Sequence, residues 1–464
     1  LETNYLIIKT SKTKKQLNTN LHKLIVNLKA HLINHQVQLE LQNKVVFLVV
    51  IIKIQAKTII VQNLQLKVQE VDMKLEKIEA LTPEYLESIG FTWHTDSDDS
   101  SYICDKLVVI SEDEANAYYE ATNELYDMVT ETAQFVIDNE LFHELNIPFN
   151  LVELVKESWE NDVHWHLYSR FDLAGGIDGK PIKLIEFNAD TPTSVFETAI
   201  IQWAMLKQNG LDEAAQFNNL YDALKDNFKR IITLNSDIEK FDEYYSQLGW
   251  KILFSSISTS SEDINTTKLL EHIAQEAGFN TDFEFIENVS FSDDGIFKND
   301  ELFEFWFKLI PWENIGIEES DLALLLTEII KEKKAIIFNP AYTLIFQSKA
   351  FMKILWDLYP NHPLLLETSF EPLKGKKYVE KRAFGREGAN VKIINPDGST
   401  DIETNGDYEG HKPIYQEYVE FPKDENGEYY QAGVFYSYEA CALGFRRGGK
   451  ILNNMSKFVG HIIK

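Results

Sequence analysis

The sequence predicts an α/β (α+β) fold of mixed and antiparallel sheets with flanking helices. Strand-like and helix-like segments alternate through the middle of the chain, antiparallel-type strands crowd its last part, and a Gly-rich hairpin pattern lies between 169 and 188. Taken in order, apolar residues recur at helical spacing from Glu112 to Glu144, after a polar loop at His94 to Ser101. Phe196 to Gln208 and Glu213 to Phe228 read as two further helices. Lys251 to Ile257 is a buried-type strand, and the helix Thr266 to Ala277 that follows it ends at Gly278, a favourable C-cap. Strand Ala335 to Phe338 precedes helix Lys349 to Leu358. Tyr378 to Ala383, Asn390 to Ile394, Pro413 to Val419, Tyr430 to Tyr438 and a piece near Cys441 to Phe445 then read as strands.

Composition narrows the function. The 464 residues are 44% hydrophobic and 25% charged, which suits a chain that buries a large core. The net charge of -28 argues against nucleic-acid or membrane-surface partners, because so acidic a surface repels phosphate backbones and anionic bilayers. It favours cationic small molecules. Two cysteines, Cys104 and Cys441, cannot build a disulfide framework, so a cytoplasmic location is expected. The longest apolar run, Val45 to Ile52, is too short to span a bilayer. Residues 1–72 hold ten Lys, no Arg and four acidic residues, with no Gly, Pro or Trp, whereas the remainder carries 35 basic and 69 acidic residues. That contrast marks 1–72 as an atypical extension, with a functional unit expected over 73–464 from Met73 onward.

Four segments carry the chemistry. In the 169–188 hairpin, alternation puts Arg170 and Asp172 on one face of the first strand, and Glu186 and Asn188 on one face of the second. Two carboxylates and an amide carbonyl are hard oxygen ligands of the kind Mg²⁺ takes beside substrate phosphates, and a guanidinium suits a phosphate or carboxylate. The second segment, Lys381 to Asn390, is a strand feeding a Gly-flanked basic loop, where small residues let backbone N–H groups approach phosphate oxygens. The third, Tyr415 to Pro422, is an aromatic strand whose backbone could meet an adenine edge. The fourth is Ser255 to Asp263, in which Glu262 and Asp263 either hold a cation or start the following helix. Arginine occurs only at 170, 230, 382, 386, 446 and 447, five of them in Gly-rich or strand-end polar contexts where a fork of donors is useful. His164-Trp165-His166 alternates as on a strand and offers two imidazoles without a third ligand.

Together these segments resemble the glutathionylspermidine synthase family of ATP-grasp carboxylate–amine ligases, over Met73 to Lys464. Glu186-Phe187-Asn188-Ala189-Asp190-Thr191-Pro192 and the Lys381 to Asn390 loop carry the likeness, supported by Tyr415-Gln416-Glu417 and Ser456 to Ile462. The resemblance implies an ATP-grasp-like fold, with ATP and Mg²⁺ as cofactors and Asp172, Glu186 and Asn188 as metal ligands. It implies that Lys349, Lys381, Gln416 and Glu417 bind ATP and that Arg386 and Gly388 lie in the loop closing over its phosphates. Arg170 would stabilise the transferring phosphoryl group, while Thr191, Thr193 and Arg446 or its neighbour Arg447 would meet the carboxyl substrate. Glu262 and Asp263 would face a polyamine. The implied partners are a glutathione-like carboxylate and a polyamine-like amine. Bifunctional members add an amidase with a Cys–His pair, and residues 1–103 contain no cysteine, so no amidase activity is expected. The alternative is a nucleotide-binding regulatory protein on a degenerate ligase scaffold.

Overall fold

In the computed structural model, which describes residues 73–161, 163–234 and 237–464, the strand Ser169–Ala174 pairs antiparallel with Lys183–Asn188. Arg170 lies opposite Asn188 and Asp172 opposite Glu186, so the four expected heads share one end of one sheet face. The connecting turn requires glycine at 175, where φ is +75° and a Cβ would meet the Pro181 carbonyl oxygen at 2.0 Å. The extension expected over 1–72 lies outside the described residues.

This hairpin forms one end of a seven-stranded sheet in the order Leu75–Lys77, Ile103–Ile110, Lys457–Ile463, Glu439–Gly448, Tyr429–Ser437, Ser169–Ala174, Lys183–Asn188. Every neighbouring pair is antiparallel except Ile103–Ile110 with Lys457–Ile463, which run parallel. The expected strands at Tyr430 to Tyr438 and Cys441 to Phe445 are the two halves of one long hairpin. Because side chains alternate, Val434 and Leu443 enter one core and Phe435 and Ala442 the other.

The helix Glu112–Asp138 covers the first of these faces with Tyr118, Leu125, Val129 and Val136. It starts in a reciprocal cap, Glu114 N donating to Ser111 Oγ at 3.2 Å and Ser111 N to Glu114 Oε2 at 2.8 Å. It stops short of the expected Glu144 because Glu140 takes a φ of +54° and Leu141 N turns back to the Val136 carbonyl. A π-helical turn, Glu197–Ile201, runs into Gln202–Gln208 and, with Leu220–Thr233, covers the other face. The helix expected from Glu213 begins at Leu220. Phe217 N donates to His461 Nε2 at 2.9 Å and Asn219 N to the Cys441 carbonyl at 2.7 Å, so these backbone groups are committed to the sheet.

A four-stranded sheet, wholly parallel, follows the order Ile336–Phe338, Phe305–Lys308, Lys251–Ser256, Asn280–Phe285. The helix Ser261–Glu276 crosses between two of its strands, and its cap is Ser260 Oγ, which accepts from Asp263 N at 3.2 Å. The helix starts before the expected Thr266 because the Ser260 cap sets its first turn at Ser261, ahead of the buried Thr266 and Thr267. A five-stranded antiparallel sheet orders Thr368–Ser369, Pro413–Glu417, Tyr378–Arg382, Lys392–Ile394 and Thr400–Glu403. A three-stranded meander, Ser290–Ser292, Gly295–Lys298 and Glu301–Phe303, completes the described strands. No helix among the described residues is long and apolar enough to cross a membrane.

His164-Trp165-His166 is irregular backbone rather than a strand. Asn227 Nδ2 donates to the His166 and Leu167 carbonyls, and Asn339 Oδ1 accepts from Leu167 N at 2.9 Å, so side-chain amides replace ladder bonds there.

Candidate active site

The polar end of the Ser169–Ala174 and Lys183–Asn188 hairpin floors a cleft of about 530 Å³. Arg170 grips Asp172 along one edge, Nε to Oδ1 at 2.6 Å and one NH to Oδ2 at 3.0 Å, and its other NH donates to the Thr193 carbonyl at 2.8 Å. Asn188 Nδ2 donates to Asp172 Oδ2 at 3.0 Å and leans towards Glu186 Oε1 at 3.4 Å. One amide therefore bridges two carboxylates, and three oxygen-bearing heads converge. Burial pushes the Glu186 carboxyl up, but Lys349 and Lys381 outweigh it and hold it down at about 2. Burial raises Asp172, with Arg170 opposing. The two carboxylates are hard oxygen donors suited to a divalent cation such as Mg²⁺, and the Asn188 carbonyl, which accepts from Gln347 while the amide nitrogen faces the carboxylates, would join them with the amide turned over. Among the described residues no group of three His, Cys, Asp or Glu is placed to hold a metal; here the third head is an amide.

The floor continues into a second cavity of about 130 Å³, and Glu186, Lys349, Gly385, Arg386 and Gly388 line both. Lys349 Nζ sits 2.9 Å from Glu186 Oε2 and donates to the Gly385 carbonyl at 2.7 Å, tying the metal strand to the Gly-flanked loop. Lys381 Nζ donates to the Ile185 carbonyl at 2.9 Å, and burial lowers it to about 8 despite the nearby Glu186. Arg386 is paired with the buried Glu313. Gly388 has a φ of +68°, and a Cβ there would meet the Leu452 carbonyl at 2.3 Å, so the loop passes directly under that segment. Gln416 and Glu417 edge the same cavity, whose apolar walls include Val379, Val391 and Ile393. A largely apolar slot beside a cationic loop can take a base with its phosphates.

The large cleft is also lined by Thr191, Thr193, Glu262, Asp263 and Arg446. Arg446 donates to the Ser456 carbonyl at 2.9 Å and the Asn453 carbonyl at 3.1 Å, while its Nε is buried without a partner. Arg447, next along the strand, faces away, 3.5 Å from Asp424 Oδ2. Alternation thus separates the two arginines that the sequence left open. Glu262 is pushed up to about 8 by burial and then by Glu197 and Asp263. Asp263 is also raised, again by burial. Glu197, absent from the expected set, is fully buried and accepts from Tyr102 at 3.0 Å and Trp93 at 3.2 Å. Its position in the π turn hides it from a reading at helical spacing.

Other supporting groups also escape the sequence reading. Asp190 and Lys308 form an ion pair at 3.0 Å with no solvent exposure on either side chain. Asp190 Oδ2 accepts from Trp312 N at 2.7 Å, and Lys308 donates to the Ile310 carbonyl at 2.7 Å. Gln347 Oε1 accepts from Ala189 N at 3.1 Å and its amide reaches Asn188 Oδ1 at 3.3 Å. The signals were Asp190 at the alternating position after Asn188, and a lysine closing the aromatic strand Phe305–Lys308. His164 and His166 lie elsewhere, lining a separate cavity with Tyr126 and Tyr436. Burial lowers these imidazoles to about 4 and about 3, so both are neutral near pH 7.

Comparison with known proteins gives the same direction. The family model "Glutathionylspermidine synthase preATP-grasp" matches residues 73–464. A Haemophilus influenzae protein named for acid–amine ligase activity is 30% identical over 399 residues, 82% of this chain and 95% of that protein. The bifunctional glutathionylspermidine synthetase/amidase of Escherichia coli is 25% identical over 381 residues, 75% of this chain and 56% of its own. Trypanothione synthetase of Crithidia fasciculata is 24% identical, over 65% of this chain and 48% of its own. The chain thus spans about half the length of these last two relatives. A solved glutathione synthetase-like effector from Globodera pallida aligns at a TM-score of 0.49 and 11% identity, over 84% of this chain and 100% of that one.

Proposed function

The chain belongs to the glutathionylspermidine synthase family, and from that premise we propose that it is an ATP- and Mg²⁺-dependent ligase joining a carboxylate to an amine through an acyl phosphate. One observation carries the reading: Arg170, Lys349 and Arg386 line the same cleft as Glu262, Asp263 and Arg446, and Lys381 lines the cavity that adjoins it. Groups for a polyphosphate, a carboxylate and an ammonium are thus present together. A glutathione-like peptide and a polyamine-like amine are the proposed partners. Cys104 and Cys441 are both free, which supports a reducing, cytoplasmic setting.

In the proposed cycle Lys349, Lys381 and Arg386 hold the ATP phosphates, and Asp172, Glu186 and Asn188 would hold the cation. Bound there, Mg²⁺ would supply positive charge against that developing on the phosphates. Thr191, Thr193 and Arg446 fix the carboxylate beside the γ-phosphate, and Arg170 stabilises the phosphoryl group in transfer. A carboxylate oxygen takes the phosphoryl group and ADP leaves; the amine then attacks the acyl carbon, sheds a proton and expels phosphate, leaving an amide. Water reaching the acyl phosphate would return the free acid, which gives the loop around Gly388 its purpose as a cover.

The test is phosphate release from ATP with pairs of carboxylates and amines, glutathione with spermidine first. Stimulation that needs both partners is expected. Tight ATP binding with no release for any pair would instead favour a regulatory protein on this scaffold. Amine binding should also depend on pH. With Glu262 at about 8, the group carries a proton at pH 7 that an incoming ammonium must displace. Amine affinity is expected to rise about tenfold per unit between pH 6 and 8 and then level off, with a proton released at pH 7. Calorimetry in buffers of different ionisation enthalpy reads that proton. A profile unchanged in Glu262→Gln would take Glu262 out of the amine site.

A further inference from the structure

Glu313 belongs to the helix Trp312–Glu318 behind the cleft and is 1% exposed. Its Oε1 pairs with the Arg386 guanidinium, while its Oε2 is buried without a partner. Arg386 stays within the lining of both cavities while so paired. A guanidinium carries five N–H donors in one plane, so a buried carboxylate holding one NH₂ group from behind restrains the head and leaves other donors free for the cleft. The carboxylate is itself anchored. Trp312 N, one residue earlier, donates to Asp190 Oδ2, and Asp190 follows Glu186 and Asn188 in the chain. The same buried network therefore touches the metal strand and the phosphate loop.

We propose that Glu313 is a positioning residue for the ligase reaction, holding Arg386 turned toward the phosphates of bound ATP. This rests on the nucleotide reading of the cleft. The opposite role, parking Arg386 away from ATP, would require the arginine to leave on binding and strand a bare carboxylate in the interior. That state is among the costliest a protein can adopt. Among the neighbouring cations, Lys308 is already engaged by Asp190.

The experiment is a double-mutant cycle on Mg·ATP affinity by calorimetry, with phosphate release measured alongside, on the wild type, Glu313→Gln, Arg386→Ala and the double variant. Each single variant is expected to weaken Mg·ATP about tenfold, and the double variant to be no weaker than Arg386→Ala within about twofold. Losses that multiply, a Glu313→Gln affinity within twofold of wild type, or a tighter one, would each overturn the proposal. Should Glu313→Gln fail to fold, Glu313→Asp with Arg386→Lys completes the same cycle. Coupling in ATP binding without phosphate release for any substrate pair would sink the ligase reading while leaving the positioning role standing.

Discussion

Replacing Glu186 by alanine is expected to lower ATP turnover by on the order of 100- to 1,000-fold while the protein stays folded. The carboxylate is at once the partner of Lys349, the neighbour of Lys381 and an oxygen of the proposed cation site, so its loss strips charge balance from the point where both cavities meet. Folding survives because the hairpin around it is held by backbone pairing and by Phe171 stacked on Phe187, ring centroids 3.9 Å apart. Phosphate release gives the turnover and far-UV circular dichroism the fold. Glu186→Gln, which keeps the volume and removes the charge, should fall nearly as far. Normal turnover in either variant would remove Glu186 from the site.

The second large effect is on stability. Lys308→Met should cost about 3–5 kcal/mol, because it leaves the Asp190 carboxylate buried without its counter-charge. Both side chains are shut off from solvent, and the ammonium also lies over the Trp312 ring at 4.1 Å from its centroid. Urea unfolding followed by tryptophan fluorescence measures the loss. Asp190→Asn should cost a similar amount, and the two together much less than the sum, since the pair fails as a unit. A loss below about 1 kcal/mol for Lys308→Met would show that the pair is not what holds this part of the cleft.

These two sites differ in how far the sequence discloses them. The face shared by Glu186, Asn188, Arg170 and Asp172 follows from strand alternation and a Gly-rich turn, both local, so the hairpin was legible at residue resolution. The Lys381 to Asn390 loop was legible for the same reason. Asp190 and Lys308 stand 118 residues apart, and nothing local marks a lysine at the end of an aromatic strand as a buried counter-charge. Segment ends failed where tertiary bonds took over the backbone, as at Phe217 and Asn219, whose N–H groups go to His461 and Cys441 rather than to a helix. Strands Ile103–Ile110 and Lys457–Ile463 were missed as sheet members because their pairing is non-local. Arg446 and Arg447 became distinguishable only once the strand's two faces had different neighbours.

The place of Lys457–Ile463 in the large sheet has a consequence for how the protein is made. This strand lies between Ile103–Ile110 and Glu439–Gly448, so an interior strand of the sheet is synthesised after all its other strands. On the ribosome, Ile103–Ile110 waits with an unpaired edge for more than three hundred residues of translation. Such an edge can recruit strands from neighbouring nascent chains. The sheet closes, and Arg446 comes to rest against the Ser456 carbonyl, only when this strand emerges. Assembly of the cleft is thereby tied to completion of the strand that zips its sheet together.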